Sequence, residues 1–330
     1  MRLIYCICGA NKACCKQLEE RADMIVCCGE ALIDFLPRAG ADGAAVYQPF
    51  NGGSIYNTAI ALGRLGIATG YYSGLSADFF GDSLRAGLTA SNVDLRYAKT
   101  STYPSMLAFV KLVDGHARYS FFNENSASRM LTGKDLPKLS PKVKALHFGS
   151  ISLIAEPGAK TFEKLMRREA KARVICLDPN IRPTVIGNRR AYLARIKRLI
   201  GLADILKISD EDVAWITGHR DFAKAARQWL KAGAKIVAIT KGGDGVEAYT
   251  RRYSLQLPSV PVTVADTVGA GDTFTAGLLA ALSNAKLLDK PSLADISEAD
   301  FLGALAFAAR AAAITVSRPG ADPPWAHEIT

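Results

Sequence analysis

The sequence predicts a doubly wound α/β domain: a mainly parallel central sheet flanked by helices, with a small separate β-sheet beside it. Three observations predict it. Short apolar runs rich in β-formers alternate with amphipathic helical stretches along most of the 330 residues, the pattern of strands joined by crossover helices. Hydrophobic residues make up 49% of the chain and aromatics only 8%, which suits small side chains packed between helices and a parallel sheet. The alternation also breaks twice, near 35–50 and 96–122, where β-like segments follow one another without a helix.

The elements follow in order. Residues 24–28 (Met-Ile-Val-Cys-Cys) read as a buried strand running into a turn at Gly29. Pro37 and scattered glycines deny a helix to 35–50. A helix is expected over 54–65, a strand over 69–73 and a helix over 82–91. Residues 107–113 and 116–122 read as a hairpin, because Asp114-Gly115 between them favours the tight turns that join antiparallel strands. Strands are expected next at 145–148, 174–177, 205–207, 236–240 and 245–249. The expected helices are 161–171, 190–199, 222–232, 270–283 and 299–315. The inserted strands can pair with one another as a lid, and lids keep water from phosphoryl transfer. With no internal repeat or long linker, residues 24–330 read as one domain whose lid comes from about 35–50 and 96–122.

The 41 Lys and Arg outnumber the 31 Asp and Glu, giving a formal charge of +10. Such a field draws in anions, nucleotides among them. The basic residues cluster at helical spacing near 164–173 and 189–198, with no recognised nucleic-acid module and no regular basic–aromatic interleaving along the chain, so solvated helix faces are expected and nucleic acid is not. Arg64 and Arg310 cut the apolar stretches 58–75 and 301–316 below the roughly 18 clean residues of a membrane span, so no membrane is expected. Seven cysteines, six of them within residues 6–28, have no CxxC spacing. Neither a disulfide framework nor a zinc ribbon fits, and reduced thiols in the cytoplasm are expected. Residues 1–23 show no period and no signal-peptide core. They read as a poorly ordered extension, or as a start assigned ahead of Met24.

The richest motif is residues 265–274, Ala-Asp-Thr-Val-Gly-Ala-Gly-Asp-Thr-Phe. Gly269, Ala270 and Gly271 form a small-residue turn opening an Ala-rich helix, whose free amides and dipole favour an anion. Asp272 in the first turn can cap the helix, or orient a hydroxyl as the base that phosphoryl transfer needs. No GxxxxGK[ST] motif occurs. Gly52-Gly53-Ser54 with Asn57 stands before an earlier helix and can expose backbone to a small polar ligand. Asp34 follows the first strand toward the edge where α/β folds bind ligands, and there it can accept two sugar hydroxyls or serve a turn.

From about Met24 to its end, the chain resembles the ribokinase-like (PfkB) sugar kinases. The matching pieces are Gly29 with Asp34, Gly52-Gly53 with Asn57 and Ala59, Thr240 with Gly242 and Gly245, and the run from Asp266 to Asp272. The resemblance implies the ribokinase-like fold with its β-sheet lid, and ATP with Mg²⁺. It implies that Asp34, Gly52, Gly53 and Asn57 hold the sugar, and that Asp272 is the base. It further implies that the Gly269–Gly271 amides form an anion hole, and that Thr240, Gly242 and Gly245 line the ATP pocket. Ser209 and Asp212 fall in register with the family's Asn-x-x-Glu motif. A K⁺ ion in this family binds backbone carbonyls, here corresponding to Asp266, Val268, Thr315, Arg318 and Gly320.

Several stretches look most like bacterial fructokinases: 28–34, 122–127, 148–153, 178–183 and 207–212. The resemblance therefore implies transfer from ATP to a primary hydroxyl, first of all that of D-fructose at C6. 2-Keto-3-deoxygluconate, ribose or a nucleoside are the alternative substrates, and a non-catalytic sugar-binding sensor is the alternative class. Phe109, Tyr119 and Phe121 can pack on the sugar or form lid core, and Arg182 can meet an anionic group. Unpaired lid edges suggest a homodimer clasped through the lids.

Overall fold

Met-Ile-Val-Cys-Cys forms β1 (Met24–Cys28), with four of its five residues buried. In the computed structural model, which describes residues 23–40, 44–113 and 116–329, β1 sits inside a sheet between parallel neighbours. Its side chains alternate between two cores. Ile25 and Cys27 enter one, Val26 and Cys28 the other, as a period of two requires.

The chain then leaves this sheet. β2 (Leu32–Ala39) and β3 (Ala45–Gly52) pair antiparallel from Leu32↔Gly52 to Ala39↔Ala45, so the first helix-free segment is a hairpin. α1 (Ser54–Arg64) follows with ten of eleven residues buried, which makes it a core helix. Next come β4 (Thr69–Tyr72), β5 (Gly74–Ser76) and α2 (Phe79–Ala90). β6 (Val93–Asp94) and β7 (Lys99–Ser101) are short. β8 (Met106–Val113) and β9 (His116–Phe122) form the expected antiparallel hairpin; its Asp114-Gly115 turn lies outside the described residues.

From here strands and helices alternate as expected. The order is β10 (Val143–Gly149), α3 (Gly158–Glu169), β11 (Val174–Asp178), α4 (Arg189–Ile200), β12 (Ile205–Ser209), α5 (Asp210–Thr217), α6 (Phe222–Ala232) and β13 (Ile236–Thr240). β14 (Val246–Tyr249) and β15 (Ser254–Leu257) add antiparallel to the edge. α7 (Ala270–Asn284), α8 (Lys290–Ala294) and α9 (Glu298–Val316) complete the chain. β5, β6, β7, β15, α5 and α8 are too short to show a period, and sequence patterning did not anticipate them.

The main sheet runs β15-β14-β13-β12-β11-β10-β1-β4-β6. α1, α7 and α9 contribute to the core on one face, and α3, α4, α5 and α6 to that on the other. α7 and α9 pack so closely that a Cβ on Gly277 would lie 2.8 Å from Ala308 Cα. By length and composition α9 could cross a bilayer; here its Phe301, Ala304, Leu305 and Ala308 belong to the core shared with α7.

The smaller sheet runs β3-β2-β8-β9. β2 joins β8 in parallel, from Leu32↔Met106 to Phe35↔Phe109, so segments distant in sequence do share one sheet. Residues 96–105 are not part of it: β7 pairs with β5 in a separate two-stranded sheet. Cys27, Cys28 and Cys176 are free and buried. The expectations for residues 1–22, including Cys6, Cys8, Cys14 and Cys15, lie outside the described residues.

Candidate active site

Gly269 adopts φ 77°, a left-handed conformation that glycine takes without strain, and caps α7. The first amides of a helix have no intrahelical partners; the Ala270 amide turns back to Thr267 O at 3.3 Å, and those of Gly269 and Gly271 stand at the positive end of the α7 dipole. Asp272, in that first turn, is buried. Its Oδ1 accepts from Ser54 Oγ at 2.6 Å and its Oδ2 from Asn57 Nδ2 at 2.9 Å. Ser54 and Asn57 lie one turn apart on α1, so a single helix face supplies both donors. Asn180 Nδ2 donates to Ser54 Oγ at 2.7 Å and lies 3.5 Å from Asp272 Oδ1. Burial pushes the Asp272 carboxyl above the usual range, against the pull of the Ser54 and Asn57 hydrogen bonds; Asp178 raises it further and Lys207 opposes. A held carboxylate with a raised pKa can take a proton from a hydroxyl.

Asp34 stands on β2. A Cβ on Gly52 would lie 2.2 Å from Asp34 Oδ2, so glycine at 52 makes room for this carboxylate. Burial pushes Asp34 up to about 6, with Arg182 opposing and the Asp272 charge adding. Asp34 and Asp272 therefore lie within electrostatic range of each other, with Arg182 the stronger influence on Asp34.

Strand register decides which aromatics share the face of Asp34. Asp34 pairs with Ala108, Ala108 with Phe121, and Val110 with Tyr119, so Phe121 and Tyr119 share the face of Asp34. Phe109 is on the opposite face, stacked on Phe35 with ring centroids 4.6 Å apart. Of the two expectations for these aromatics, Phe109 takes the lid-core one.

At the neighbouring strand ends, Ser209 of β12 pairs with Thr240 of β13. Ser209 Oγ accepts the Asp212 amide at 3.1 Å as the N-cap of α5. The Asp212 carboxylate takes the Ile181 amide with both oxygens, each at 3.2 Å. Burial and the Asp178 charge push Asp212 up to about 7. The Asp212 side chain is thus turned toward the Asp178–Arg182 loop, while that of Ser209 caps its own helix. Gly242 (φ 55°) and Gly245 (φ 85°) form the bend between β13 and β14, which Lys241 spans with its 2.8 Å ion pair to Glu247.

The five residues expected at a monovalent cation lie on two adjoining segments. Asp266 Oδ1 accepts the Val268 amide and Oδ2 the Gly320 amide, both at 3.0 Å. The Ala265 and Asp266 amides donate to Val316 O. Thr315 Oγ1 bonds Thr273 Oγ1 at 3.0 Å, and the Arg318 guanidinium turns to Glu328 and Asp322. With these side chains engaged, the remaining ligand atoms are backbone carbonyl oxygens, two of which, Thr315 O and Gly320 O, already accept the Arg318 and Asp322 amides; neutral carbonyls suit an alkali cation. Among the described residues no group of three or more His, Cys, Asp or Glu is set to hold a metal ion.

Ser54, Asn180, Asp178 and Lys207 were not expected in the site. Lys207 did carry a signal, because a lysine inside the apolar run Ile-Leu-Lys-Ile is anomalous for a central parallel strand.

The comparisons with known proteins point to one family. A model of the pfkB family of carbohydrate kinases matches residues 22–328. The fructokinase of Rhizobium leguminosarum bv. trifolii is 51% identical over 275 residues, covering 83% of this chain and 84% of the relative. The crystal structure of a fructokinase with bound ATP from Xylella fastidiosa superposes with a TM-score of 0.84 at 28% identity, covering 91% of this chain and 94% of that one. A fructokinase from Vibrio cholerae O395, in a form bound to fructose, ADP and calcium ion, gives 0.80 at 26% identity with the same coverage.

Proposed function

The chain belongs to the pfkB family of carbohydrate kinases, enzymes that phosphorylate a sugar, and on that premise we propose that it transfers the γ-phosphoryl group of ATP to the C6 hydroxyl of D-fructose. One observation carries the mechanism: Asp272 stands at the head of the anion-binding helix and is held by two side chains of the glycine-led helix α1.

Fructose lies in the hollow between Asp34 and Asp272, against Gly52, Gly53 and Asn57. Asp34 accepts two ring hydroxyls and so fixes the sugar's orientation. The primary hydroxyl faces Asp272, which takes its proton as that oxygen attacks the γ-phosphorus in line with the leaving ADP oxygen. The Gly269, Ala270 and Gly271 amides stabilise charge on the transferring group. Thr240, Gly242, Gly245 and the backbone at Ser209 border the nucleotide. Mg²⁺ arriving with the nucleotide would supply further neutralisation. K⁺ held by the carbonyls of Asp266, Val268, Thr315, Arg318 and Gly320 would brace the turn from behind.

The small sheet acts as a lid, bringing Tyr119 and Phe121 over the sugar and excluding water. Its outer face leaves Phe122 60% and Tyr47 46% exposed, beside Phe79 at 73%. This aromatic surface supports a homodimer joined through the lids. The free buried thiols support residence in the cytoplasm.

The test is ADP release from Mg·ATP with D-fructose, D-ribose, 2-keto-3-deoxygluconate and adenosine side by side, with and without K⁺. A kcat/KM for fructose at least tenfold above the others is expected. A larger value for another acceptor would replace fructose, and no turnover with any of the four, in folded protein that binds ATP, would leave the kinase fold standing and overturn fructose as the acceptor or catalysis itself.

A further inference from the structure

Lys207 interrupts the apolar run of β12, and its side chain is only 5% exposed. It pairs at 2.8 Å with Asp178, which is 2% exposed at the end of adjacent β11. Lys207 Nζ lies 2.9 Å from the point that a Cβ on Gly271 would occupy. Helical Cβ bonds tilt toward the N-terminus, so the ammonium stands at the anion-binding end of α7, beside the turn.

Gly271 has no left-handed backbone to explain it, since it lies within the helix. What it provides is space, and Lys207 occupies that space. The ammonium has three N–H groups and makes one side-chain hydrogen bond, to Asp178 Oδ2. Asp178 Oδ1 is buried without a partner. Burial alone would lower the Lys207 pKa, but Asp178 foremost, then Asp272 and Asp212, keep it raised and the group charged. A buried ion pair rarely adds stability over an apolar pair of similar volume, so its presence here points to the chemistry above it.

Resting on the phosphoryl-transfer reading, we infer that Lys207 is a positioning residue for the transferring phosphoryl group: its ammonium fills the side-chain space of Gly271 and sets a fixed positive charge behind the Gly269–Gly271 amides, with Asp178 holding it in place. The structure thereby couples three residues, Asp178, Lys207 and Gly271, that contribute to one electrostatic device.

The full-length protein tests this with fructose and Mg·ATP. Lys207→Met should lower kcat on the order of a hundredfold, the scale of one preorganised oxyanion donor, while KM for fructose stays within about twofold. Inhibition by ADP with aluminium fluoride, a planar phosphoryl mimic, should weaken by the same factor, and inhibition by ADP alone should change little. That variant leaves Asp178 as an uncompensated buried charge and can fail to fold. The charge-neutral pair Asp178→Asn/Lys207→Met therefore carries the decision: it should melt near the unmodified protein and remain slow. Gly271→Ala should be costly in the unmodified protein and nearly silent in the Lys207→Met background, because the two changes act on one contact. A folded neutral pair with near-normal kcat would overturn the inference, as would independent, multiplying effects of Gly271→Ala and Lys207→Met. An unmodified protein inactive on every acceptor would instead remove the phosphoryl-transfer reading itself.

Discussion

Asp272 has both carboxylate oxygens engaged by α1, and this sets its two most direct predictions. A positioned base contributes about a hundred- to ten-thousand-fold, so Asp272→Asn should lose turnover on that scale while circular dichroism shows a native fold. Ser54→Ala removes a hydrogen bond that favours the charged carboxylate. The Asp272 pKa, already raised by burial, should rise further, and the acid limb of the kcat/KM profile should move to higher pH. An unmoved limb would argue that Ser54 does not orient the base. Asp34, pushed up to about 6 by burial, loses its negative charge as pH falls through that value. KM for fructose should therefore climb below about pH 6, and the initial-rate series that gives the limb also measures this. Asp272, Asp34, Gly52 and Asn57 were legible in the sequence because motif spacing marks them. Ser54 looked like an ordinary helix start, and its bond to Asp272 spans 218 residues.

Among the elements, α3 and α4 show what pairing does to a charge run. Their basic stretches were expected as solvated faces, yet Arg167, Arg195 and Arg198 all converge on Glu163 at 2.9–3.1 Å. Burial would raise the Glu163 carboxyl, but the three guanidiniums, Arg198 foremost, hold it down to about 2. A depressed carboxylate contributes stability that is present above its unfolded value near 4.3 and lost as pH falls through the folded value. Glu163→Gln should thus lower the melting temperature at pH 7, with the gap closing between about pH 4 and 2. Arg167 and Arg198 are 48% exposed, so solvent screening limits the effect to on the order of 1 kcal/mol. Thermal melts of both proteins across that range decide it, and a pH-independent gap would mean that Glu163 acts through packing.

At the scale of the whole molecule, the site exists only where the small sheet, α1, α7 and the strand ends of the main sheet meet. The same small sheet turns Asp34, Tyr119 and Phe121 one way and an aromatic surface the other. Phe109 packs edge-on against Phe122 at 5.5 Å and stacks on Phe35, whose ring meets Phe80 at 5.7 Å. Sedimentation velocity should show a dimer at micromolar concentration, and Phe79→Ser/Phe122→Ser should shift it toward monomer with the core intact. A monomeric unmodified protein would leave this surface without the partner proposed for it.

The sequence by itself determined the alternation of strands and helices, the turn before Asp272, the hairpin at 107–122 and the ordered motifs of a sugar kinase. These are local properties: periodicity, turn chemistry and spacing are carried by residues near one another in the chain. Only the tertiary structure decided that Ser54 and Asn180 converge on Asp272, that Phe109 turns away from the face of Asp34, and that Lys207 stands in the space left by Gly271. Those relations depend on strand register and on how distant elements pack. A one-residue change of register would move a side chain to the other face, and no pattern within a single segment encodes which distant residue will meet it there.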